Sequence, residues 1–311
     1  MRIILVDPSR TAAKVVSRLL EARDHDVRVF ADGREALAYI KSDPDVGALI
    51  TTAEPLSISG LELCWETRLI ATSHRPIYVI LMSSSDDGKL IAALDHGADD
   101  VLNKPPVPEE LYARLRAAER FGNMQRELIR LATTDSLTGM YNRRAFFEKA
   151  RVLAERAQSG EPLCAIMVDI DHFKRVNDMH GHEVGDHAIC AVAHELMLER
   201  ALVGRLGGEE FALLLDGRCL ADALAVAERL RVKLSEVAIK SGSEVITLTC
   251  SFGVSEWQQG DMVDRLLKRA DIALYEAKIA GRNRVVAAGA TMIAPTYTDA
   301  GSRIRATRKS A

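Results

Sequence analysis

The sequence lacks any apolar run near the roughly 18 residues needed to cross a membrane. Its start, MRIILVDPSR, reaches an aspartate too early for a signal peptide. It also lacks an excess of basic residues: the net charge of −3 argues against nucleic-acid binding driven by electrostatics alone. We therefore expect a cytoplasmic protein with no membrane span and no nucleic-acid partner.

Paired cysteines are absent as well. The five cysteines contain no CxxC pair and mostly lie in apolar runs, which is typical of buried thiols in a reducing cytosol. What is present is a chain of 311 residues, 48% of them hydrophobic. That length and composition predict two domains of ordinary size, each burying its own core.

Short apolar runs alternate with helical patterns over residues 1–120. This alternation predicts a flavodoxin-like, doubly wound α/β domain with a parallel sheet, whose functional groups gather at the carboxyl ends of the strands. The predicted strands are Ile3–Val6, Val27–Phe30, Ala48–Ile50, Ile77–Met82 and Val101–Leu102.

Three segments of this domain, IILVDPSR, GLELC and GADDVLNKP, resemble the receiver domains of response regulators. The Lys104–Pro105 pair matches that family's Lys–Pro pair. The resemblance implies an aspartyl phosphate at the end of the third strand, beside Mg²⁺ held by an acidic pair. Here the phosphoacceptor position is Thr52, the second acidic position is Pro8, and only Asp7 remains.

A threonine cannot form an aspartyl phosphate, and one carboxylate is a poor Mg²⁺ site. The switch hydroxyl falls on Met82 or Ser83, and Glu54, the nearest acidic substitute, is out of register. We expect a pseudo-receiver in which Asp7 and Lys104 only satisfy one another. A regulatory protein is a candidate partner for this domain.

Residues 121–134 form a predicted helical dimerisation linker. Apolar residues recur there at 3-4-3 spacing, as in a short coiled-coil seam: Phe121, Met124, Leu128 and Leu131. The seam favours a parallel homodimer, but packing of the same residues onto their own domain fits the periodicity equally well. The following Thr133–Asp135 segment offers side chains that could end one element and cap the next.

The stretch VGRLGGEEFALLL (203–215) predicts a hairpin of strands Leu202–Leu206 and Phe211–Leu215, with Gly207 and Gly208 supplying positive φ. In one interpretation the two glutamates after the turn are ordinary surface residues. In the other, the glycines let a nucleotide approach the backbone while Glu209 and Glu210 share a divalent cation.

A second segment bears on that choice. The apolar run Leu163–Val168 predicts a buried strand, and it ends at Asp169–Ile170–Asp171, on the rim of a sheet. If the hairpin lies beside it, Asp169 joins Glu209 and Glu210. Three converging carboxylates require a cation, so the sequence predicts a Mg²⁺ or Mn²⁺ site.

Five successive motifs cover residues 135–287: DSLTGMYNRRAFF, VDIDHFKRVNDMHGHEVGD, RLGGEEF, SFGVS and RADIALYEAKIAGRNRV. In this order they resemble GGDEF-family diguanylate cyclases. The resemblance implies a palm-like α/β domain that condenses two GTP into cyclic di-GMP and two pyrophosphates, as a homodimer with one Mg²⁺-bound GTP per half-site. The alternative is a catalytically silent module that binds GTP or cyclic di-GMP.

The resemblance also implies roles for individual residues. The metal ligands would be Asp169, the carbonyl of Ile170, Glu209 and Glu210, with Glu209 nearest the attacking hydroxyl. Asn177 and Asp186 would read guanine. The remaining substrate contacts would come from Lys174, Lys278 and Arg282 at the phosphates and from Phe173, Gly207 and Gly208, while Arg205 would face the twin site or support the hairpin.

Other interpretations stay open for some of these residues. Asn177 could cap a helix, and Lys278 with Arg282 could form a solvated face that complements a helix dipole. His172 and His180 stand where the family often has aromatics, which suggests altered packing around the guanine pocket. A zinc site joining them to His182, His187 and His194 is disfavoured, because no paired ligand pattern is present.

Two terminal and regulatory features complete the expectations. Many family members carry an inhibitory Arg-x-x-Asp motif ahead of the glycine pair, where this chain has Leu198–Ala201. We therefore predict no product-inhibition site. Residues 288–311 have little apolar periodicity and are predicted to be disordered.

Overall fold

The computed structural model describes residues 1–53, 57–72, 75–84, 89–241 and 244–289. It divides into two compact units, Met1–Ala132 and Thr133–Ala311. Glu54 and residues 290–311, about which the sequence made predictions, lie outside the described residues. No helix of the described parts is both long and apolar enough to cross a membrane.

The first unit is a five-stranded parallel sheet in the order β2-β1-β3-β4-β5, as predicted. Each predicted strand is present, within a few residues of its predicted bounds. In chain order the elements are β1 (Arg2–Val6), α1 (Arg10–Glu21), β2 (Asp26–Phe30), α2 (Gly33–Ser42), β3 (Val46–Thr52), α3 (Gly60–Ile70), β4 (Tyr78–Ser83), α4 (Lys89–Asp95), β5 (Asp100–Asn103) and α5 (Pro108–Thr133).

Helices cover both faces of this sheet because alternate residues of each strand point to opposite sides. Ile4 and Val6 pack in one core with α2, α3 and α4, whereas Ile3 and Leu5 pack in the other with α1 and α5. Side-chain caps fix where helices begin; Ser9 accepts from the α1 backbone and Asp32 from the α2 backbone.

Helix α5 continues past the domain core as one uninterrupted helix. Phe121 reaches back to the Tyr78 ring, with 6.3 Å between the ring centroids. Met124, Leu128 and Leu131 are 57–61% exposed. Phe121 therefore packs in part onto its own domain, with 45% of its surface still exposed, and the rest of the seam remains uncovered within this unit.

The second unit is built on a six-stranded sheet in the order β13-β12-β7-β9-β8-β6, with β10 and β11 forming a separate hairpin. Its elements are β6 (Tyr141–Asn142), α6 (Arg143–Gln158), β7 (Leu163–Ile170), α7 (Phe173–His180), α8 (His182–Met197), β8 (Leu202–Gly207), β9 (Glu210–Asp216), α9 (Leu220–Ser235), β10 (Ala238–Ser241), β11 (Glu244–Thr247), β12 (Cys250–Glu256), α10 (Val263–Ile279) and β13 (Val285–Ala287).

Strand β7 lies at the centre of this sheet, antiparallel to β9 on one side and to β12 on the other. All eight of its residues are buried, because α8 and α9 cover one face of the sheet and α6 and α10 the other. The apolar run predicted this strand, which continues through Asp169 and Ile170. A buried strand thus delivers a carboxylate to the edge of the sheet.

Candidate active site at the edge of the second sheet

The hairpin β8–β9 sets its two glutamates against the end of β7. Asp169 and Glu210 are direct partners in the antiparallel register. Of the two turn glycines only Gly208 has positive φ, at 47°; the expectation for Gly207 was wrong, because that residue still belongs to β8. A Cβ added at either glycine would meet no atom within 4 Å, so the backbone here faces open space.

Asp169 is buried, with 4% of its surface exposed, and its carboxylate pairs with the Lys278 ammonium at 2.8 Å. Burial raises the pKa of Asp169 to about 6; Lys278 opposes the rise, while nearby Glu209 and Glu210 add to it. The interpretation of Lys278 as part of a purely solvated face is therefore wrong. Lys278 neutralises a buried charge at the edge of the sheet.

The predicted convergence of three carboxylates is only partly realised. Asp169 lies beside Glu210 in register, yet the described residues contain no group of three His, Cys, Asp or Glu side chains arranged to hold a metal. Like charges avoid a common point unless a cation is present, and here the lysine supplies the positive charge. The donors at this edge are all oxygens, which suit hard cations such as Mg²⁺ or Mn²⁺.

Arg205 braces the hairpin turn. Its Nε donates to the carbonyl of Gly208 at 2.8 Å and its Nη1 to Asp135 at 2.9 Å. Asp135 also accepts from the backbone and hydroxyl of Thr138. Although burial alone would raise the pKa of Asp135, Arg205 and Thr138 lower it. Of the two roles considered for Arg205, support of the hairpin is the one observed.

Asn177 lies in the middle of α7, so the interpretation as a helix cap is wrong. Its Oδ1 is buried and has no hydrogen-bond partner among the described residues. A Cβ at Gly185 would fall 1.9 Å from that oxygen, so a larger residue there would displace the Asn177 amide. Burying an unpaired acceptor costs about 1–3 kcal/mol, which is tolerated where a ligand completes the hydrogen bond.

The other proposed substrate residues surround these elements. Phe173 is half-buried at the start of α7, whereas Lys174 and Asp186 are exposed. Lys278 lies in the last turn of α10, but Arg282 follows the helix in a turn of its own, with φ of 61°. Of the two basic residues, only Lys278 therefore lies on the helix whose dipole they were expected to complement.

Asp171 was given no role by the sequence, yet it is one of the most highly connected side chains of the unit. It is 5% exposed and accepts hydrogen bonds from the Thr249 hydroxyl at 2.7 Å, the Ser251 hydroxyl at 2.6 Å and the Asn283 backbone at 2.9 Å. The available signal was its spacing, two residues beyond Asp169.

His172 and His180 line a cavity of about 440 Å³ between α7 and the β11–β12 segment. His180 Nδ1 lies 3.1 Å from the Ser241 hydroxyl. The cavity lining includes neither Asn177 nor Asp186. The effect of the two histidines on the guanine pocket stays a prediction.

In the first unit, the carboxyl ends of the strands carry the degenerate receiver residues. Asp7 is buried, and its Oδ1 accepts from Lys104 Nζ at 3.1 Å and from the Ser9 backbone at 2.9 Å. Its Oδ2 has no hydrogen-bond partner among the described residues, so the expected pairing satisfies this carboxylate only in part. Thr52 and Ser83 end β3 and β4 and are also buried. The positions of a receiver site are thus assembled around a threonine.

Comparisons with known proteins agree with this division. Residues 132–284 match the family model for the diguanylate cyclase GGDEF domain, and residues 3–116 match that for the response regulator receiver domain. The response regulator PleD of Caulobacter vibrioides is 33% identical over 299 residues, covering 92% of this chain and 65% of PleD. This chain therefore spans less than two thirds of that relative.

Two further relatives concern the second unit. The diguanylate cyclase VdcA of Vibrio cholerae is 41% identical over 177 residues, covering 55% of this chain and 50% of VdcA. The coiled coil and GGDEF domain of DgcB from Caulobacter crescentus, solved with c-di-GMP, is 34% identical with a TM-score of 0.54, covering 58% of this chain and 98% of that one. The chain thus joins a response regulator receiver domain to a domain of the GGDEF diguanylate cyclase family.

Proposed function

We propose that this protein is a diguanylate cyclase that condenses two GTP into cyclic di-GMP and two pyrophosphates. The observation that best supports this proposal is the arrangement at the edge of the second sheet. There the buried Asp169 lies beside Glu210 and pairs with Lys278. The hairpin turn at Gly207 and Gly208 leaves its backbone open there. In-line displacement at phosphorus demands positioning and charge neutralisation, and this edge offers both.

Mg²⁺ or Mn²⁺ would be held by Asp169, the carbonyl of Ile170, Glu209 and Glu210. Such a cation supplies charge neutralisation and a more acidic attacking hydroxyl. Glu209 is our candidate for the group nearest the 3′-hydroxyl that attacks. Lys278, Arg282 and Lys174 would bind the phosphates of GTP. Without nucleotide, Lys278 is paired with Asp169 at 2.8 Å.

Guanine recognition is assigned to Asn177 and Asp186, beside Phe173. The buried, unpartnered Asn177 Oδ1 supports this assignment, since a nucleobase amino group would satisfy it. Asp186 would accept from the N1–H and 2-amino donors that adenine lacks. The site is therefore expected to prefer GTP strongly over ATP.

The reaction joins two nucleotides, so two half-sites must meet. The exposed stripe of Met124, Leu128 and Leu131 on α5 supports a parallel homodimer through the linker. We assign residues 1–120 to the receiver-like domain, 121–134 to the linker, 135–287 to the cyclase and 288–311 to the tail. A regulatory protein acting on the receiver domain and a cytoplasmic location remain predictions from the sequence.

The deciding experiment incubates the purified full chain with GTP and Mg²⁺ and measures both products. We expect two pyrophosphates for each cyclic di-GMP, and no reaction with ATP. The matched control is Glu210→Gln, which removes a charge at the edge but little volume. A protein that binds GTP or cyclic di-GMP yet releases no pyrophosphate would instead be a silent binding module.

A further inference from the structure

Asp171 directs its charge away from the Asp169 edge and towards the turn that follows α10. Both of its oxygens are engaged: one accepts from Thr249 and from the Asn283 backbone, the other from Ser251. Its own backbone N–H donates to the Thr249 carbonyl at 2.8 Å. One buried side chain therefore ties the end of β7 to the start of β12 and to the turn at residues 281–283.

That turn is held in an unusual backbone conformation. Gly281, Arg282 and Asn283 have φ of 114°, 61° and 44°. Two successive non-glycine residues in this region are costly and persist only where surrounding contacts impose the conformation. A turn of this kind is not expected to hold its shape unaided.

The contacts that impose it are few and identifiable. The Arg282 backbone donates to the Ala277 carbonyl at 3.0 Å, and the Asn283 side chain accepts from Arg231 at 2.8 Å. Arg284 Nε also donates to the Arg282 carbonyl at 3.1 Å, and the Asn283 N–H donates to Asp171 at 2.9 Å. Of these, only Asp171 is a buried carboxylate, which accepts more strongly than a neutral oxygen.

We propose that Asp171 is a positioning residue that fixes the 281–283 turn and thereby aims the Arg282 guanidinium at the terminal phosphates of GTP. The inference rests on the proposed function, which assigns Arg282 to those phosphates. The hydrogen bonds that Arg282 makes within the described structure involve its backbone: its N–H donates to Ala277, and its carbonyl accepts from Arg284 Nε at 3.1 Å. The turn therefore sets the point from which the Arg282 side chain starts. Asp171 controls that backbone through the adjacent residue.

The chemistry of the three donors gives Asp171 a conservative substitute and a disruptive one. In Asp171→Asn, Oδ1 still accepts from Thr249 and Asn283, while the amide donates to the Ser251 hydroxyl, which can also accept. In Asp171→Leu a side chain of similar size offers no acceptor at all. Comparing the two variants therefore separates the effect of the hydrogen bonds from the effect of side-chain volume.

The experiment measures binding of two probes to the full chain by calorimetry in Mg²⁺. The first is α,β-methylene GTP, whose carbon bridge blocks release of pyrophosphate; the second is GMP, which lacks the terminal phosphates. We expect Asp171→Leu to weaken the triphosphate analogue about tenfold or more and to leave GMP within about twofold. Asp171→Asn should recover most of the lost affinity.

A double-mutant cycle links the effect to Arg282. Arg282→Gln alone should weaken the analogue as much as Asp171→Leu, and the double variant should be no weaker than Arg282→Gln. Additive losses, equal losses for GMP, or no loss in Asp171→Leu would each overturn the inference. If Arg282→Gln itself binds the analogue normally, the assigned role of Arg282 fails, which is a different outcome.

Loss of folding in Asp171→Leu would not leave the question open. Thr249→Val and Ser251→Ala each remove one donor to Asp171 while the Asn283 contact stays. We expect each to weaken the triphosphate analogue less than Asp171→Leu would, and the pair together more than either, again without an effect on GMP. Normal binding of the analogue by the folded pair would contradict the proposal.

Discussion

At the scale of single residues, Asp169 is the central group of the candidate site. Its carboxylate is buried, its pKa is raised to about 6 by that burial, and it is neutralised by Lys278. A group held at this energetic cost at the open edge of a sheet is a candidate for function. The same residue was singled out by the sequence, because an apolar strand ended in carboxylates there.

We expect Asp169→Asn to lower the rate of cyclic di-GMP formation by at least about 100-fold while leaving the fold intact, since it removes charge without removing volume. Pyrophosphate release gives the rate and circular dichroism the fold. Asp222→Asn, an exposed carboxylate on α9, is the matched control. Near-normal turnover in Asp169→Asn would place the metal elsewhere.

His25 gives the first unit a pH dependence. Burial lowers the pKa of His25 below 6.5, and the positive charge of the amino terminus lowers it further. Glu119 and Asp24 raise the pKa, but by less than burial and the amino terminus lower it. The unfolded chain therefore takes up the proton at a higher pH than the folded one. The free energy of unfolding should fall as pH drops from 6.5 through the lower folded-state pKa.

This expectation is tested by urea unfolding at several pH values, followed by Trp65 fluorescence in a Trp257→Phe background. His25→Gln should flatten the decline, whereas His96→Gln, at an exposed histidine, should not. Identical pH profiles for His25→Gln and its parent would show that His25 is not the group responsible.

At the scale of elements, the exposed stripe of α5 is the feature that calls for a partner. We expect Leu128→Glu to weaken self-association by about 10- to 100-fold, because a charge replaces a leucine in the seam. On dilution of this variant, the sedimentation coefficient and the rate of turnover per chain should fall together. Asn123→Glu, an exposed position of the same helix outside the 3-4-3 spacing, should change neither.

Much of the fold could be read from the sequence at this scale. Apolar runs predict the five strands of the first sheet and the β7 strand. The glycine pair predicts the β8–β9 hairpin. These are local signals, in which period and turn chemistry agree. The exact turn was less predictable: Gly207 and Gly208 look alike in sequence, and only pairing in the sheet makes one of them a strand residue.

The contacts that complete the site were beyond the sequence. Lys278 reaches Asp169 across 109 positions and Asp171 reaches Asn283 across 112, through strand pairing and helix packing that no local pattern encodes. The resemblance to the GGDEF family implies that Lys278 binds phosphate, but it does not predict the ion pair with Asp169. Asp171 carried no signal beyond its distance from Asp169.

At the scale of the whole molecule, a receiver domain with Thr52 at the expected phosphoacceptor position precedes a GGDEF domain. We expect acetyl phosphate with Mg²⁺ to leave the cyclase rate unchanged, because Thr52 is a buried threonine and Asp7 is paired with Lys104. The rate and mass spectrometry for an acid-stable, base-labile acyl phosphate are the two measurements. A phosphorylated Glu54, which lies outside the described residues, would contradict the expectation.

Feedback by the product is a further property that the proposed function predicts. Leu198 and Ala201 replace the arginine and aspartate of the inhibitory motif, and intervening Glu199 is paired with Arg229 at 2.7 Å. We expect cyclic di-GMP to inhibit only by competing with GTP, raising the apparent KM. Initial rates over a range of GTP test this, and a fall in the maximal rate would reveal a separate site.

The ion pair between Lys278 and Asp169 concerns the state of the protein without nucleotide. With an internal counter-ion in place, the buried carboxylate has a partner before metal or nucleotide arrives. In the proposed reaction, the GTP phosphates would replace Asp169 as the anionic partner of Lys278. With this ion pair formed, we expect the protein without nucleotide to stay folded and to be able to resume the proposed reaction when GTP returns.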